Sequence, residues 1–143
     1  MAFVPYQGNF RYQEIGALGS MSVVQGGLVR FDLTTGYIEP AVAASAVVYG
    51  VCMSATQTAS ATNGATKLLV VPFESGQVWK VDTTGDFVLT YQGTLVSVTD
   101  AVSMDEDDTG NTPLFETVGY VGALTDRKGL YSPHMANFTA IGV

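Results

Sequence analysis

The residues best suited to chemistry in this sequence are the acids of the segment DEDDTGNTPLFE, residues 105–116. Its oxygen-bearing side chains follow the spacing of a calcium loop, at positions one, three, five and twelve with glycine at six: Asp105, Asp107, Thr109, Glu116 and Gly110. An EF-hand needs a helix on each side, whereas both flanks predict strands, and a proline interrupts the loop. We therefore predict a solvated acidic turn, with weak calcium binding as the alternative, and assign no cofactor or metal.

Nucleophilic catalysis finds few candidate residues. His134 is the only histidine, so a catalytic triad would have to use it. Cys52 is the only cysteine, and one cysteine with one histidine cannot supply the usual ligands of a zinc ion. No serine lies in a nucleophile-elbow motif, and the glutamates form no recognisable pair for glycoside hydrolysis. We predict that the protein is not an enzyme, and a hydrolase ranks third among the functions considered.

Trp79 raises a different possibility, because an exposed tryptophan beside a tyrosine such as Tyr91 stacks on sugar rings in carbohydrate-binding β-sandwiches. Trp79 lies between Val78 and Val81 in a segment of alternating polar and apolar residues. That alternation favours burial of Trp79 in the core.

Composition restricts the class of protein further. Of 143 residues, 47% are hydrophobic but only 13% are charged, and the formal net charge is −7. An acidic chain with scattered lysines and arginines is not expected to bind nucleic acid, because neutralising phosphates needs clustered basic residues. The longest apolar run, residues 41–53, is too short for a membrane helix. The first residues do not resemble a signal peptide. Cys52 lies in an apolar segment and is expected to be a small buried residue.

From residue 21 onwards, short alternating segments separated by glycines predict a single all-β domain, residues 21–143. Two hairpins are expected, in LVRFDLTTGYIEPA and in VWKVDTTGDFVLTY, because both have a TTG turn. The polar residues 57–66 predict a loop. We expect about eight or nine short strands in a barrel or sandwich, with at most one short helical turn.

Residues 1–20 differ from the rest of the chain. Four aromatic residues occur here without helical or strand periodicity: Phe3, Tyr6, Phe10 and Tyr12. Large aromatic side chains without local partners predict an N-terminal arm that contacts a neighbouring subunit or the capsid, and the alternative is a segment that lies over its own domain. We take these four, with Val4 and Arg11, as the candidate contact residues.

Four short motifs in this order resemble the capsid decoration, or cement, proteins of tailed bacteriophages: GGLVRFDLTTGYIEPA, GVC, ESGQVWKV and GYVGAL. The resemblance covers residues 21–124, although the acidic loop departs from it. It implies a small β-barrel or β-tulip fold and a homotrimer on the outer surface of the capsid, made in the host cytoplasm, whose arm bridges subunits of the major capsid protein. The alternative function is a carbohydrate-binding β-sandwich or a phage fibre or tail component.

Overall fold

A computed structural model describes residues 2–42, 48–98, 101–102, 104–105 and 114–134, and the chain there is almost entirely β. These ranges contain two short 3-10 helices, Leu89–Tyr91 and Leu124–Asp126, rather than one helical turn. They also contain thirteen strands: β1 Phe3–Gln7, β2 Gln13–Gly16, β3 Ser22–Val23, β4 Leu28–Phe31, β5 Ile38–Pro40, β6 Gly50–Cys52, β7 Gln57–Thr58, β8 Lys67–Pro72, β9 Val78–Asp82, β10 Leu95–Val98, β11 Met104–Asp105, β12 Phe115–Tyr120 and β13 Lys128–Pro133. The predicted all-β class is confirmed.

The strands form two main sheets and a small ribbon. One sheet has the order β1-β9-β13-β12-β10-β11, the other has the order β2-β8-β6-β4-β5, and β3 pairs with β7. Both large sheets curl. Ala17, just after β2, forms a parallel bridge with Ile38 of β5, and Thr83, just after β9, forms one with Met104 of β11. The curling explains why a barrel-like sandwich describes the fold.

Alternation along the strands creates two apolar clusters. Adjacent residues of one strand belong to different clusters. In β4, Leu28 lies in the larger cluster and Val29 in the smaller, and in β6 the same holds for Val51 and Cys52. The larger cluster includes residues of both main sheets, while the smaller lies on the other face of the five-stranded sheet. Cys52 is fully buried in the smaller cluster, as predicted.

The N-terminal segment is not a separate arm in this structure, so residues 1–20 differ from the prediction. β1 pairs with β9, and β2 pairs with β8. The side chain of Phe3 is completely buried, and the ring of Phe10 meets the edge of Trp79 at a centroid distance of 5.0 Å. These two aromatic residues lack local partners because they pack against distant parts of the chain, Phe3 against Phe115 and Phe10 against Trp79.

The first predicted hairpin is confirmed and the second is wrong. β4 and β5 pair in an antiparallel register that places Arg30 opposite Glu39. β9, in contrast, pairs with β1 and β13, and the expected return strand contains the buried Phe87 and a 3-10 helix. Because both edges of β9 are occupied, no position remains for a return strand. The predicted loop at 57–66 begins with β7, which pairs with β3.

Candidate interaction surface

Several charged side chains form ion pairs. Among the described residues, four basic side chains pair with a carboxylate, in the pairs Arg11–Glu74, Arg30–Glu39, Arg127–Asp86 and Lys128–Asp82. The nitrogen-to-oxygen distances are 3.0 Å for Arg30–Glu39 and 2.9 Å for Arg127–Asp86. These arrangements neutralise charge locally, and each contributes only a little to stability where water surrounds it.

The candidate chemical groups are not assembled into a site where the structure describes them. No group of three or more histidine, cysteine, aspartate or glutamate side chains could hold a metal ion among the described residues. Most of the calcium-like segment 105–116 lies outside those residues, while Glu116 is exposed on β12. His134 is half-buried, and its backbone N–H donates to the carbonyl of Leu114 at 2.8 Å.

The Cys52 thiol is also poorly suited to nucleophilic chemistry. Burial raises its pKa, and a backbone hydrogen bond from Ser54 opposes this only in part. Since the thiolate is the reactive form, a raised pKa suppresses its reactivity.

Trp79 is fully buried, which confirms the expected core position and excludes a sugar-stacking role for its ring. Phe10 and Phe73 approach it edge-on at 5.0 and 5.4 Å. Its indole N–H donates to the side-chain oxygen of Gln77 at 3.0 Å. The alternative of a Trp79–Tyr91 sugar platform is therefore excluded, and Tyr91 instead lies against Phe87, with ring centroids 5.9 Å apart.

Four exposed apolar side chains neighbour Phe87, which is itself buried. The ring of Tyr120 stacks on Phe87 at 5.3 Å, and the Phe87 N–H donates to the carbonyl of Leu124 at 3.0 Å. Val88 and Leu89 follow in the chain. Between 36% and 53% of the surface of these four neighbours is exposed. We call Val88, Leu89, Tyr120 and Leu124 the Phe87 patch.

Charges next to the Phe87 patch have partners within the chain. Arg127, in a left-handed backbone conformation with φ of 56°, donates to Asp86 at 2.9 Å. Asp126 accepts a hydrogen bond from the backbone N–H of Ala123 at 2.8 Å. The border of the patch is thus polar but locally compensated, and apolar burial rather than unpaired charge would drive its contacts.

The predicted contact residues divide into two groups. Phe3 is fully buried, and the half-buried Phe10 packs against Trp79 rather than projecting from a free arm. Val4 is half-buried, whereas the other three are exposed: Tyr6, Arg11 and Tyr12. β9 and β13 lie between β1 and β12, so the strand that carries Val4 and Tyr6 and the strand that carries Tyr120 are about 14 Å apart across the sheet.

The outer edge of β1 does not favour addition of another strand. The N–H of Phe3 on that edge already donates to the carbonyl of Gly26 at 2.9 Å. Pro5, two residues later and therefore facing the same way, has no N–H. A partner at this end would contact side chains rather than extend the sheet.

A further exposed apolar residue lies at the tip of the β4–β5 hairpin, where Leu33 is 95% exposed. The Asp32 carboxylate accepts hydrogen bonds from the backbone N–H groups of Thr34 and Thr35. Its bond with the Thr35 hydroxyl is the main cause that lowers the pKa of Asp32. These hydrogen bonds brace the turn, while the Leu33 side chain projects into solvent.

In the part of the chain that is described, no helix has the length and apolar character needed to cross a membrane. No protein-family model, curated protein or solved structure matches this chain.

Proposed function

We propose that the chain is a non-enzymatic virion structural protein, a decoration protein that binds the outer surface of a phage capsid as a homotrimer and stabilises the shell. The observation that carries this proposal is the Phe87 patch: exposed apolar side chains gathered on one part of an ordered β-domain of low charge. Monomeric soluble proteins rarely expose contiguous apolar patches larger than a few hundred Å², and larger patches mark interaction sites. The resemblance of the sequence motifs to decoration proteins supplies the identity of the partner, the major capsid protein.

Stabilisation of the shell needs no chemistry in this proposal. A protein that binds only assembled capsid subunits shifts the equilibrium towards the assembled state. Three symmetric copies engage several subunits at once, so weak individual contacts combine into strong attachment.

The contact surface in this proposal has two parts. The Phe87 patch supplies the apolar contacts, and the exposed residues of the N-terminal strands supply polar and aromatic contacts: Tyr6, Arg11 and Tyr12, with Val4 beside them. Phe3 and Phe10 serve instead to attach this segment to the domain. The protein is made in the host cytoplasm and resides on the virion.

Co-sedimentation with shells of the virus that encodes the chain tests the proposal. We expect the wild type to sediment with shells and to raise the temperature at which they release their contents. Leu89→Lys places a charge in the Phe87 patch and should weaken sedimentation. The matched control is Leu33→Lys, which introduces the same charge at another exposed leucine.

Two results would contradict the proposal. Wild-type protein that neither sediments with shells nor changes their stability would remove the decoration role. Equal loss of binding in both variants would show that added charge alone, rather than the Phe87 patch, controls attachment. Antibody labelling of virions separates the outer capsid from the fibre and tail locations of the alternative function.

A further inference from the structure

Asn63 is followed by Gly64, and of the four asparagines in the chain it is the only one that precedes a glycine. Such a pair is prone to spontaneous modification because glycine has no Cβ to hinder attack by its own backbone nitrogen. The nitrogen of Gly64 attacks Cγ of Asn63, a carbon–nitrogen bond forms, and the side-chain nitrogen leaves as ammonia. Water then opens the resulting succinimide to aspartate or isoaspartate.

The structure holds both reacting groups in hydrogen bonds with one neighbouring segment. The Gly64 N–H, part of the attacking group, donates to the carbonyl of Ala17 at 2.9 Å. The side-chain oxygen of Asn63 accepts from the Gly19 N–H at 2.8 Å. While these two bonds persist, the Gly64 nitrogen keeps its proton and the amide group keeps its position.

Two further hydrogen bonds join the same two segments. The Ala17 N–H donates to the carbonyl of Thr66, and the Ser20 N–H donates to the carbonyl of Ser60, both at 2.8 Å. We call these four hydrogen bonds between residues 17–20 and 60–66 the clasp. The clasp adjoins the place where the five-stranded sheet closes, because Ala17 bridges Ile38.

The ring of Tyr37 covers the clasp from the side. A Cβ added to Gly64 would lie 2.7 Å from this ring, and Gly64 has a φ of +77°. The glycine that makes the pair reactive is therefore required by the fold, since a larger residue would be strained and would collide with Tyr37.

We propose that Asn63–Gly64 is a site of spontaneous succinimide formation and deamidation that the clasp keeps unreactive until residues 17–20 and 60–66 separate. Local opening then controls the rate, as it controls amide hydrogen exchange. Isoaspartate adds a methylene to the main chain between positions 63 and 64 and moves the Gly64 N–H away from Ala17. The modification thus prevents the clasp from re-forming, so modified molecules are those in which residues 17–20 and 60–66 have separated.

The experiment follows conversion of Asn63 by peptide mass spectrometry in the full chain at neutral pH, folded and in urea. We expect the folded protein to retain Asn63 at least about tenfold longer than the unfolded chain. Tyr37→Ala should shorten that time while the domain stays folded, whereas Tyr12→Ala, which removes an exposed tyrosine elsewhere, should not. Asn63→Gln controls for other mass changes.

Hydrogen exchange provides a second measurement on aged protein. Molecules with isoaspartate at position 63 should exchange the amide of Leu18, which donates to the Ile38 carbonyl at 2.8 Å, faster than unmodified molecules. Equal conversion of Asn63 in folded and unfolded protein would overturn the inference, as would unchanged exchange at Leu18. If Tyr37→Ala unfolds the domain, the comparison of folded with unfolded wild type still decides the question.

Discussion

Replacing Gln77 with alanine should destabilise the protein more than any other change of a polar side chain that we consider. Gln77 is buried, and its amide joins three parts of the fold. Its nitrogen donates to the carbonyls of Asn9 at 3.0 Å and Pro72 at 3.1 Å, while its oxygen accepts from the Trp79 indole at 3.0 Å. The side chain thus ties the N-terminal segment to β8 and β9.

The expected loss follows from the groups that remain after truncation. In Gln77→Ala, the indole N–H of Trp79 and the carbonyl of Pro72 stay buried without their partner, at about 1–3 kcal/mol each. Asn9 is exposed, so water can replace its bond. The free energy of unfolding should therefore fall by about 2–6 kcal/mol, a large part of the roughly 5–15 kcal/mol typical of a domain.

Urea denaturation followed by the fluorescence of Trp79, the only tryptophan, measures this change directly. Gln7→Ala, at an exposed glutamine in β1, is the matched control and should lie within about 0.5 kcal/mol of wild type. A loss below about 0.5 kcal/mol in Gln77→Ala itself would refute the reasoning, because it would mean that the buried partners do not need this amide.

Gln77→Glu tests how the free energy of unfolding depends on pH when a carboxyl group replaces this amide. A carboxylate there would direct an oxygen at the carbonyls of Asn9 and Pro72, so burial and repulsion should raise the pKa of the new carboxyl. The unfolded chain then loses its proton first as pH rises. The free energy of unfolding should fall with pH from the ordinary glutamate value of about 4.3 up to the raised pKa of the folded state. A pH-independent difference from wild type would contradict this arrangement.

Four other predictions concern the core, the single cysteine, the acidic segment and self-association. In chemical denaturation, Phe3→Ala should lower the free energy of unfolding by about 3–5 kcal/mol, whereas Tyr6→Ala in the same strand should change it little. Thiol reagents should label Cys52 only after unfolding, and stability should decline above about pH 8.5 because the unfolded thiol ionises first; labelling of folded protein at the unfolded rate would contradict this. Asp105→Asn with Asp107→Asn should change the melting temperature little, with or without a chelator, and a large chelator-dependent drop in the wild type would instead indicate calcium. Self-association measured by light scattering should persist in roughly molar salt, since screening leaves apolar contacts intact; a monomer in both low and high salt would exclude a trimer in solution.

Where neighbouring side chains alternate, the sequence predicted the strands well. In β9, Val78, Lys80 and Asp82 are partly exposed while Trp79 and Val81 are buried, because successive side chains of a strand point to opposite faces. The β4–β5 hairpin was also predictable, since Asp32 and the TTG turn are local features.

Pairing between distant parts of the chain could not be predicted in the same way. The string DTTG after β9 resembles the turn after β4, but Thr83 bridges Met104 and the strand edges of β9 are taken by β1 and β13. Local sequence cannot reveal that occupancy. The same limit hid the partners of Phe3 and Phe10. The Phe87 patch was missed because FVLTY was assigned to a return strand, although its run of apolar residues was a visible signal.

The integration of the N-terminal segment into the sheets also bears on how this protein would hold a capsid. Releasing β1 as an arm would expose Phe3, at about 1.5–3 kcal/mol for one such side chain, and would separate Phe10 from Trp79 and Asn9 from Gln77. A contact made by a released arm would have to recover that cost before it added affinity. Contacts through side chains that are already exposed on the folded domain carry no such cost, because a preorganised surface loses little entropy on binding. If the chain binds a capsid, the fold therefore favours attachment as a rigid domain, and deletion of residues 2–12 should unfold the protein rather than simply detach it.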